Sequence, residues 1–285
     1  MSGPDWRPLL GVDRRRLTEA RLQAHHAVQW LGRAARAYIL PQPDDSHTNL
    51  GWNDALDGFT THPLIDGARL SLKVTDLTLV SHGDKGTARV QSFSLIGRSD
   101  AQVRQWLGEQ FDAQGLDARA LDAPSPYEMP AHAITQGAAY STVGLADALA
   151  ELAAWFANAE YSLSRIQRQI IERKLAASTV RCWPHHFDLA TLISLPARNA
   201  KPAGFVGAGL SPGDGYYDEP YFYVSVYPKP DNEALPILPK LGHWHTHDFT
   251  AAIVPAHKIV AANNQMAETD DFLQATVNGA IKVLS

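Results

Sequence analysis

Apolar residues recur every three or four positions along several stretches of the chain, which is the spacing of one helix face. Over residues 17–40 this spacing predicts a first helix, and Pro41 follows it as a helix breaker. Residues 99–102, Ser-Asp-Ala-Gln, form a capping box ahead of further apolar positions, and Gly115 ends this second predicted helix. Both helices are therefore expected to present an apolar face to a core.

The longest apolar seam lies in the middle of the chain. Its positions are spaced alternately by four and three residues: Leu145, Leu149, Leu152, Phe156, Ala159, Leu163, Ile166 and Ile170. Such a seam is typical of a long helix packed on a sheet or on another helix. It also suits a dimerisation helix, so a homo-oligomer stays open. A last helix carries apolar residues from Leu273 to Leu284.

Between the helices, apolar and polar residues alternate with the period of two that predicts strands. Residues 68–80, ARLSLKVTDLTLV, alternate but change parity, which predicts a bulge or bend near Thr75-Asp76. Residues 81–86 are interpreted as a turn, and residues 87–97 as the return strand of a hairpin. In the second half, strands are predicted over residues 181–193, 203–210, 219–227 and 243–254.

Helix, strands and helix thus occur twice, with residues 118–142 as the connection. The pattern from Trp52 to Asp57 recurs from Trp183 to Asp188, which supports the hypothesis of an internal duplication. Short connections between strands favour antiparallel pairing. The predicted fold class is therefore α+β, with two related halves that are each a largely antiparallel sheet flanked by helices. The predicted halves are residues 1–142 and residues 143–285. They form either two domains or one pseudo-symmetric domain.

Composition narrows the class of protein. The chain has 285 residues, of which 45% are hydrophobic and 19% are charged, which is ordinary for a globular protein. Its net charge of −5 argues against a nucleic-acid partner, because phosphate backbones are bound by clustered Lys and Arg. The single cysteine, Cys182, cannot form an internal disulfide. With no signal-peptide pattern and no apolar run of membrane-span length, we expect a cytoplasmic protein without membrane contact.

Candidate chemistry is concentrated in the second half, first of all in GHWHTHDF at residues 242–249. On a strand, His243, His245 and His247 project to one face, and two imidazoles two residues apart can bind one divalent cation such as zinc. All three cannot reach the same ion from a straight strand. Four residues span about 13 Å, and an imidazole with its metal bond reaches only roughly 6 Å from either end. We therefore predict His243 and His245 as metal ligands, with a third ligand from elsewhere.

The third ligand is predicted in WPHHFD at residues 183–188. If this segment is a strand, His185 and Phe187 lie on the core face, among apolar neighbours. His186 and Asp188 then share the opposite face, where a polar site would lie. His186 is therefore the predicted third metal ligand, and Asp188 is a predicted catalytic residue.

Two further interpretations of these residues stay open. A histidine that is oriented by Asp188 or Asp214 can act as a general acid or base without a metal, which makes both aspartates catalytic candidates. Alternatively, the histidines and aspartates satisfy one another in a partly buried sheet, without chemistry. The turn SPGDG at residues 211–215 is flanked by aromatic and acidic residues, and such loops collect ligand contacts. The predicted small-molecule ligand contacts beside it are Glu219, Tyr221 and Tyr223.

Four motifs carry a resemblance: W-P-H-H-F-D-L-A at residues 183–190, S-P-G-D at 211–214, E-P-Y-F-Y-V at 219–224 and G-H-W-H-T at 242–246. Together they resemble a group of uncharacterised bacterial proteins, mainly in the second half of the chain. The resemblance implies a bacterial cytoplasmic protein of common architecture and brings no known activity. The leading prediction is a small-molecule enzyme with a His/Asp-rich site, in one form with a divalent metal. The alternative is a non-catalytic ligand-binding or assembly protein with a structural polar cluster.

Overall fold

The chain forms two compact units in the computed structural model, which describes residues 6–65, 67–83, 90–197 and 203–284. The first unit consists of Val12–Ala153 and Cys182–Phe187. The second unit consists of Met1–Gly11, Ala154–Arg181 and Asp188–Ser285. Each unit contains an antiparallel sheet, and the two are described in turn below.

The first unit begins with helix α1 (Arg14–Tyr38), whose first turn is capped by the Asp13 carboxylate. Five strands follow: β1 (Gly51–Asn53), β2 (Gly58–Thr60), β3 (Arg69–Lys73), β4 (Thr78–His82) and β5 (Gln91–Ser94). They lie in the order β1-β2-β3-β4-β5, which is an antiparallel meander, and α1 packs on β3. Helix α2 (Asp100–Ala113) comes after the sheet.

Both predicted ends of α2 are confirmed. At its start, the backbone N–H of Ser99 donates to the side chain of Gln102 at 3.0 Å, as in a capping box. At its end, Gly115 has a φ of +78°, and the N–H of Leu116 donates to the carbonyl of Phe111 at 2.9 Å. This is the Schellman arrangement, in which glycine takes the left-handed conformation at little steric cost.

The predicted bulge or bend near Thr75-Asp76 is a hairpin turn, so residues 68–80 form two strands rather than one. Lys73 pairs with Thr78, so residues 74–77 form a four-residue loop between β3 and β4. Its last residue, Leu77, is fully buried and has a φ of +51°. The return strand is β5, paired with β4. The predicted turn over residues 81–86 lies partly outside the described residues, since 84–89 are not described.

The long apolar seam lies on helix α3 (Ala146–Glu172) except for Leu145, which directly precedes the helix. Its residues are all buried, which agrees with packing within the chain. Seven strands follow: β6 (Ala176–Ala177), β7 (Arg181–Trp183), β8 (Asp188–Leu195), β9 (Gly204–Ser211), β10 (Tyr221–Tyr227), β11 (His243–His245) and β12 (Ala251–Pro255). Six of them, all except β7, form an antiparallel sheet with the order β11-β12-β10-β9-β8-β6. Helices α4 (Ala256–Val260) and α5 (Gln265–Leu284) end the chain.

One face of this sheet is the core face of the second unit. Phe222 and Val224 of β10 are fully buried there, and α5 packs on β9 and β10. The ring of Trp155 lies 6.2 Å from that of Phe222. Two antiparallel sheets with flanking helices confirm the predicted α+β class. No helix in the described part of the chain is long and apolar enough to cross a membrane.

Two further predicted strands are each interrupted by a turn. Within residues 181–193, the N–H groups of His186 and Phe187 donate to the carbonyl of Trp183 at 3.2 and 2.7 Å, so 184–187 is a turn between β7 and β8. Phe187 is buried with a φ of +59°. Within residues 243–254, the strands are β11 and β12. The alternation argument therefore holds for His243 and His245 but fails for His186, which is exposed in the turn.

Candidate functional site

The second face of the larger sheet is polar, and the strand register brings the predicted residues onto it. Tyr223 pairs with Gly209 on one side and Ile253 on the other, and Ile253 pairs in turn with His243. Residues that pair across antiparallel strands project to the same face, so Tyr223 and His243 share this one. By alternation the same face carries these predicted site residues: Asp188, Tyr221, Tyr223, His243 and His245.

Tyr223 lies across the centre of this face and is held by Asp188. Its hydroxyl donates to the Asp188 carboxylate at 2.5 Å. The space for its ring comes from Gly209, where an added Cβ would lie 2.6 Å from the Tyr223 ring. Burial and the adjacent Asp188 carboxylate raise the pKa of Tyr223 well above its usual value. The phenol is therefore a neutral donor, and Asp188 positions it.

Asp214 organises the loop above the face. One of its carboxylate oxygens accepts from the N–H groups of Tyr216 and Tyr217 at 2.8 and 3.0 Å. The other accepts from the hydroxyl of Tyr221 at 2.5 Å. Burial and the Asp214 carboxylate raise the pKa of Tyr221. Both oxygens of Asp214 are thus engaged by protein donors, and the result is a fixed position for Tyr217.

The hydroxyl of Tyr217 lies between the two strand histidines. It is 3.1 Å from Nε2 of His243 and 3.1 Å from Nδ1 of His245. Nε2 of His245 lies 2.6 Å from the backbone carbonyl of His247. The His245 ring also stacks on Phe249, with centroids 4.1 Å apart. The two imidazoles therefore converge on one phenol oxygen.

These contacts assign the protons when both rings are neutral. A carbonyl only accepts, so Nε2 of His245 carries a hydrogen and its Nδ1 accepts from the Tyr217 hydroxyl. The Tyr217 oxygen must then accept from Nε2–H of His243. Nδ1 of His243 is left with its lone pair. Burial lowers the pKa of His243, and the positive charge of Lys258 lowers it further, which favours this neutral form.

Glu219 lies at the same end of the sheet as the Asp214 loop, and it is turned towards His257. Its carboxylate accepts from the backbone N–H of His257 at 2.8 Å and from Nδ1 of the same residue at 2.7 Å. The Glu219 side chain is 8% exposed, whereas that of His257 is 53% exposed. Glu219 thus orients an accessible imidazole at the start of α4.

Sequence reasoning missed Tyr217 and His257. The turn signature SPGDG was the available signal for Tyr217, because an Asp in such a turn binds the N–H groups two and three residues on. His257 lies just after a strand, next to Lys258, and no periodic pattern marked it.

The predicted metal ligands do not all belong to one unit. His243 and His245 lie in the second unit, and His186 lies in the first, where its ring centroid is 4.2 Å from that of His185. Within the residues that the structure describes, no three His, Cys, Asp or Glu side chains are grouped so that they could hold a metal ion. Zinc at His243 and His245 would have to use the Tyr217 oxygen or an outside ligand.

Fold and site define an α+β protein whose larger antiparallel sheet carries a Tyr/His/Asp face. Residues 8–284 match the family model described as "Family of unknown function (DUF5996)", and the chain belongs to this family. No curated protein and no solved structure matches the chain. The expectation of a relationship to uncharacterised proteins is confirmed at the level of the family.

Proposed function

We propose that the protein is a small-molecule enzyme that uses His243, Tyr217 and His245 for general acid–base catalysis. The observation that carries this proposal is the Tyr217 hydroxyl, which lies 3.1 Å from a ring nitrogen of each histidine. A hydroxyl in that position can donate and accept at once, so it links the two imidazoles into a proton relay. The relay begins at Nδ1 of His243 and ends at the backbone carbonyl of His247.

In the proposed reaction, Nδ1 of His243 takes a proton from the bound molecule. Nε2 of His243 then gives its own proton to the Tyr217 oxygen, and Tyr217 gives its proton to Nδ1 of His245. The positive charge ends on His245, where the His247 carbonyl stabilises it. The reverse sequence returns the proton to the product. Asp188 and Asp214 serve as positioning residues, because their carboxylates hold Tyr223 and the Tyr217 loop.

A divalent metal such as zinc is a second form of the same proposal. It is supported by the convergence of two imidazole nitrogens on one point. There the Tyr217 oxygen would be the third protein ligand, and a water or substrate atom the fourth. We further propose that the protein acts in the bacterial cytoplasm, as the motif resemblance implies.

The alternative from another class is a non-catalytic ligand-binding or assembly protein. It is supported by His245, because both of its ring nitrogens have partners within the protein. Both carboxylate oxygens of Asp214 also have partners within the protein. Saturated groups of this kind are typical of a structural polar cluster. In that case the loss of the Tyr217 hydroxyl affects stability alone.

Ring ¹⁵N NMR of histidine-labelled protein tests the relay. We expect His243 and His245 both to carry their hydrogen on Nε2, and Tyr217→Phe to shift Nδ1 of His245 because its hydrogen bond is lost. His247→Ala is the matched control, since this side chain is 85% exposed, pairs with Asp248, and leaves the backbone carbonyl of residue 247 in place. A wild-type spectrum with the His243 hydrogen on Nδ1 would remove the relay.

A panel of small polar metabolites, followed by NMR, tests catalysis. The wild type should convert one of them, and Tyr217→Phe should do so at least ~100-fold more slowly, as expected for a lost acid–base group. His247→Ala should retain the rate. A compound that binds and perturbs His243 without turnover supports the binding alternative. Added Zn²⁺ that broadens or shifts both rings in the wild type, and neither in Tyr217→Phe, supports the metal form.

A further inference from the structure

Two nitrogen-bearing side chains stand at the end of β12, beside the proposed relay. His257 and Lys258 belong to α4, which begins directly after the strand. The Glu219 carboxylate accepts from Nδ1 of His257, so Nε2 of this ring is directed away from Glu219. With 53% of its side chain exposed, His257 can present Nε2 to a bound molecule.

The side chain of Lys258 extends from α4 to the backbone just before β11. Its Nζ donates to the carbonyl of Leu241 at 2.9 Å, two residues before His243. An ammonium group has three donors, and this is its one hydrogen bond to the part of the chain that the structure describes. Burial lowers the pKa of His243, and the positive charge of Lys258 lowers it further. Lys258 therefore has donors available close to His243.

Two carboxylates of this region, those of Asp214 and Glu219, bind donors of the protein itself. Asp214 accepts from two backbone N–H groups and from Tyr221, and Glu219 accepts from the backbone and ring of His257. Their negative charges are thus engaged with protein donors, while Lys258 and the imidazoles of His257 and His243 retain free capacity. The Lys258 ammonium and a protonated His257 carry N–H donors that complement an anion, whereas Nδ1 of His243 carries a lone pair and can only accept.

We propose that the site takes a small anionic ligand, a carboxylate or a phosphate, whose anionic group is bound by Lys258 and His257. His257 binds as the imidazolium, with Nδ1–H on Glu219 and Nε2–H on the anion. His243 then faces the part of the ligand that exchanges a proton. This inference names the substrate class of the proposed function and rests on it.

The test is titration of the full-length protein with inorganic phosphate and, separately, with acetate, at constant ionic strength. Binding is followed through the ring signals of His257 and His243. Lys258→Gln should weaken binding about tenfold or more, as expected for a charged hydrogen bond. Lys282→Gln is the matched control, because it removes one exposed lysine from α5 and should leave the affinity unchanged. Acetate and phosphate together show which anion the site prefers.

His257→Gln serves as the second variant, so the test does not depend on whether Lys258→Gln folds correctly. It should also weaken binding. Its melting temperature is measured without ligand to confirm that the variant is folded, because His257 donates to the buried Glu219 carboxylate. Anions that leave both rings unperturbed in the wild type overturn the inference, and so does equal weakening by Lys258→Gln and Lys282→Gln. The relay is judged separately, by the ligand-free ring spectra of Tyr217→Phe, so failure of anion binding and failure of the relay are distinguishable.

Discussion

At the scale of single residues, the candidate site depends on which groups can donate and which can accept. The carbonyl of His247 determines the tautomer of His245, and Tyr217 transmits that choice to His243. Strand alternation alone predicts that the two histidines share a face. It does not predict a phenol between them, because Tyr217 comes from a loop 26 residues before His243 along the chain.

A buried histidine in the first unit leads to a pH prediction. His25 is 4% exposed, stacks on Phe187 and lies 2.9 Å from the carbonyl of Pro184. Burial lowers its pKa from 6.5 to about 4. Between these two values the unfolded chain binds a proton that the folded chain does not, so the free energy of unfolding decreases as the pH falls below 6.5.

We expect this single group to lower the free energy of unfolding by roughly 2 kcal/mol at pH 5 relative to pH 7.5. Urea unfolding at several pH values measures it, with His25→Gln as the comparison, because glutamine does not titrate. As the pH is lowered to 5, the free energy of unfolding of the wild type should fall relative to that of the variant. Parallel pH profiles for the two proteins would show that His25 is not the responsible group.

At the scale of elements, one turn recurs and explains two of the errors in the strand predictions, those over residues 68–80 and 181–193. Four-residue loops at 54–57, 74–77 and 184–187 each end on a non-glycine residue with positive φ: Asp57, Leu77 and Phe187. Leu77 and Phe187 are fully buried apolar residues in a conformation that costs L-residues about 1–2 kcal/mol. An apolar residue in that position looks like part of a strand, so the pattern hid the turn.

The internal duplication stays a prediction. The first unit has a meander in the order β1-β2-β3-β4-β5, and the second sheet contains the order β8-β9-β10-β12, with β11 added at the edge. The Trp-to-Asp pattern matches Asp57 with Asp188. In the shared four-residue loop, however, Asp57 holds the place of Phe187, so the two alignments of the halves differ by one residue. Superposition of an experimentally determined first sheet on the second would decide the question.

Helix ends provide a matched pair of substitutions. Lys174, just after α3, has a φ of +61°, and the N–H of Leu175 donates to the carbonyl of Ile170, as in the Schellman end of α2 at Gly115. Lys174→Gly should raise the free energy of unfolding by about 0.5–1 kcal/mol, because the left-handed strain exceeds the entropy cost of glycine.

Gly115→Ala is the converse change and should lower the free energy of unfolding by about 1 kcal/mol. An added Cβ at Gly115 meets no atom within 4 Å, so the effect reports backbone conformation alone. Chemical denaturation of both variants measures the pair. Equal signs for the two changes would contradict the assignment of left-handed strain at Lys174.

At the scale of the whole molecule, the single cysteine leads to a prediction about redox conditions. Cys182 is fully buried, and a chain with one cysteine has no internal disulfide to lose. The melting temperature should therefore be the same with and without dithiothreitol. Size-exclusion chromatography in both conditions is the control. A reductant-dependent melting temperature or a reducible dimer would show that Cys182 is reached by a partner thiol.

The amount that could be predicted differs between the fold and the candidate site. The helices, the antiparallel sheets and the α+β class follow from the periods of 3.6 and 2, which are local properties of the chain. The roles of Asp214 and Glu219 could not be predicted in the same way. Their partners, Tyr221 and His257, are selected by loop geometry and by strand register.

By itself, the sequence determined that His243 and His245 project from one face, because side-chain direction along a strand depends only on neighbouring residues. It determined as well that Leu145–Ile170 forms one buried helical seam. The tertiary structure alone decided that Tyr217 lies between the two histidines and that His186 lies in an exposed turn of the other unit. The physical reason is that these placements depend on pairing between distant segments and on a turn in which a buried apolar residue takes positive φ.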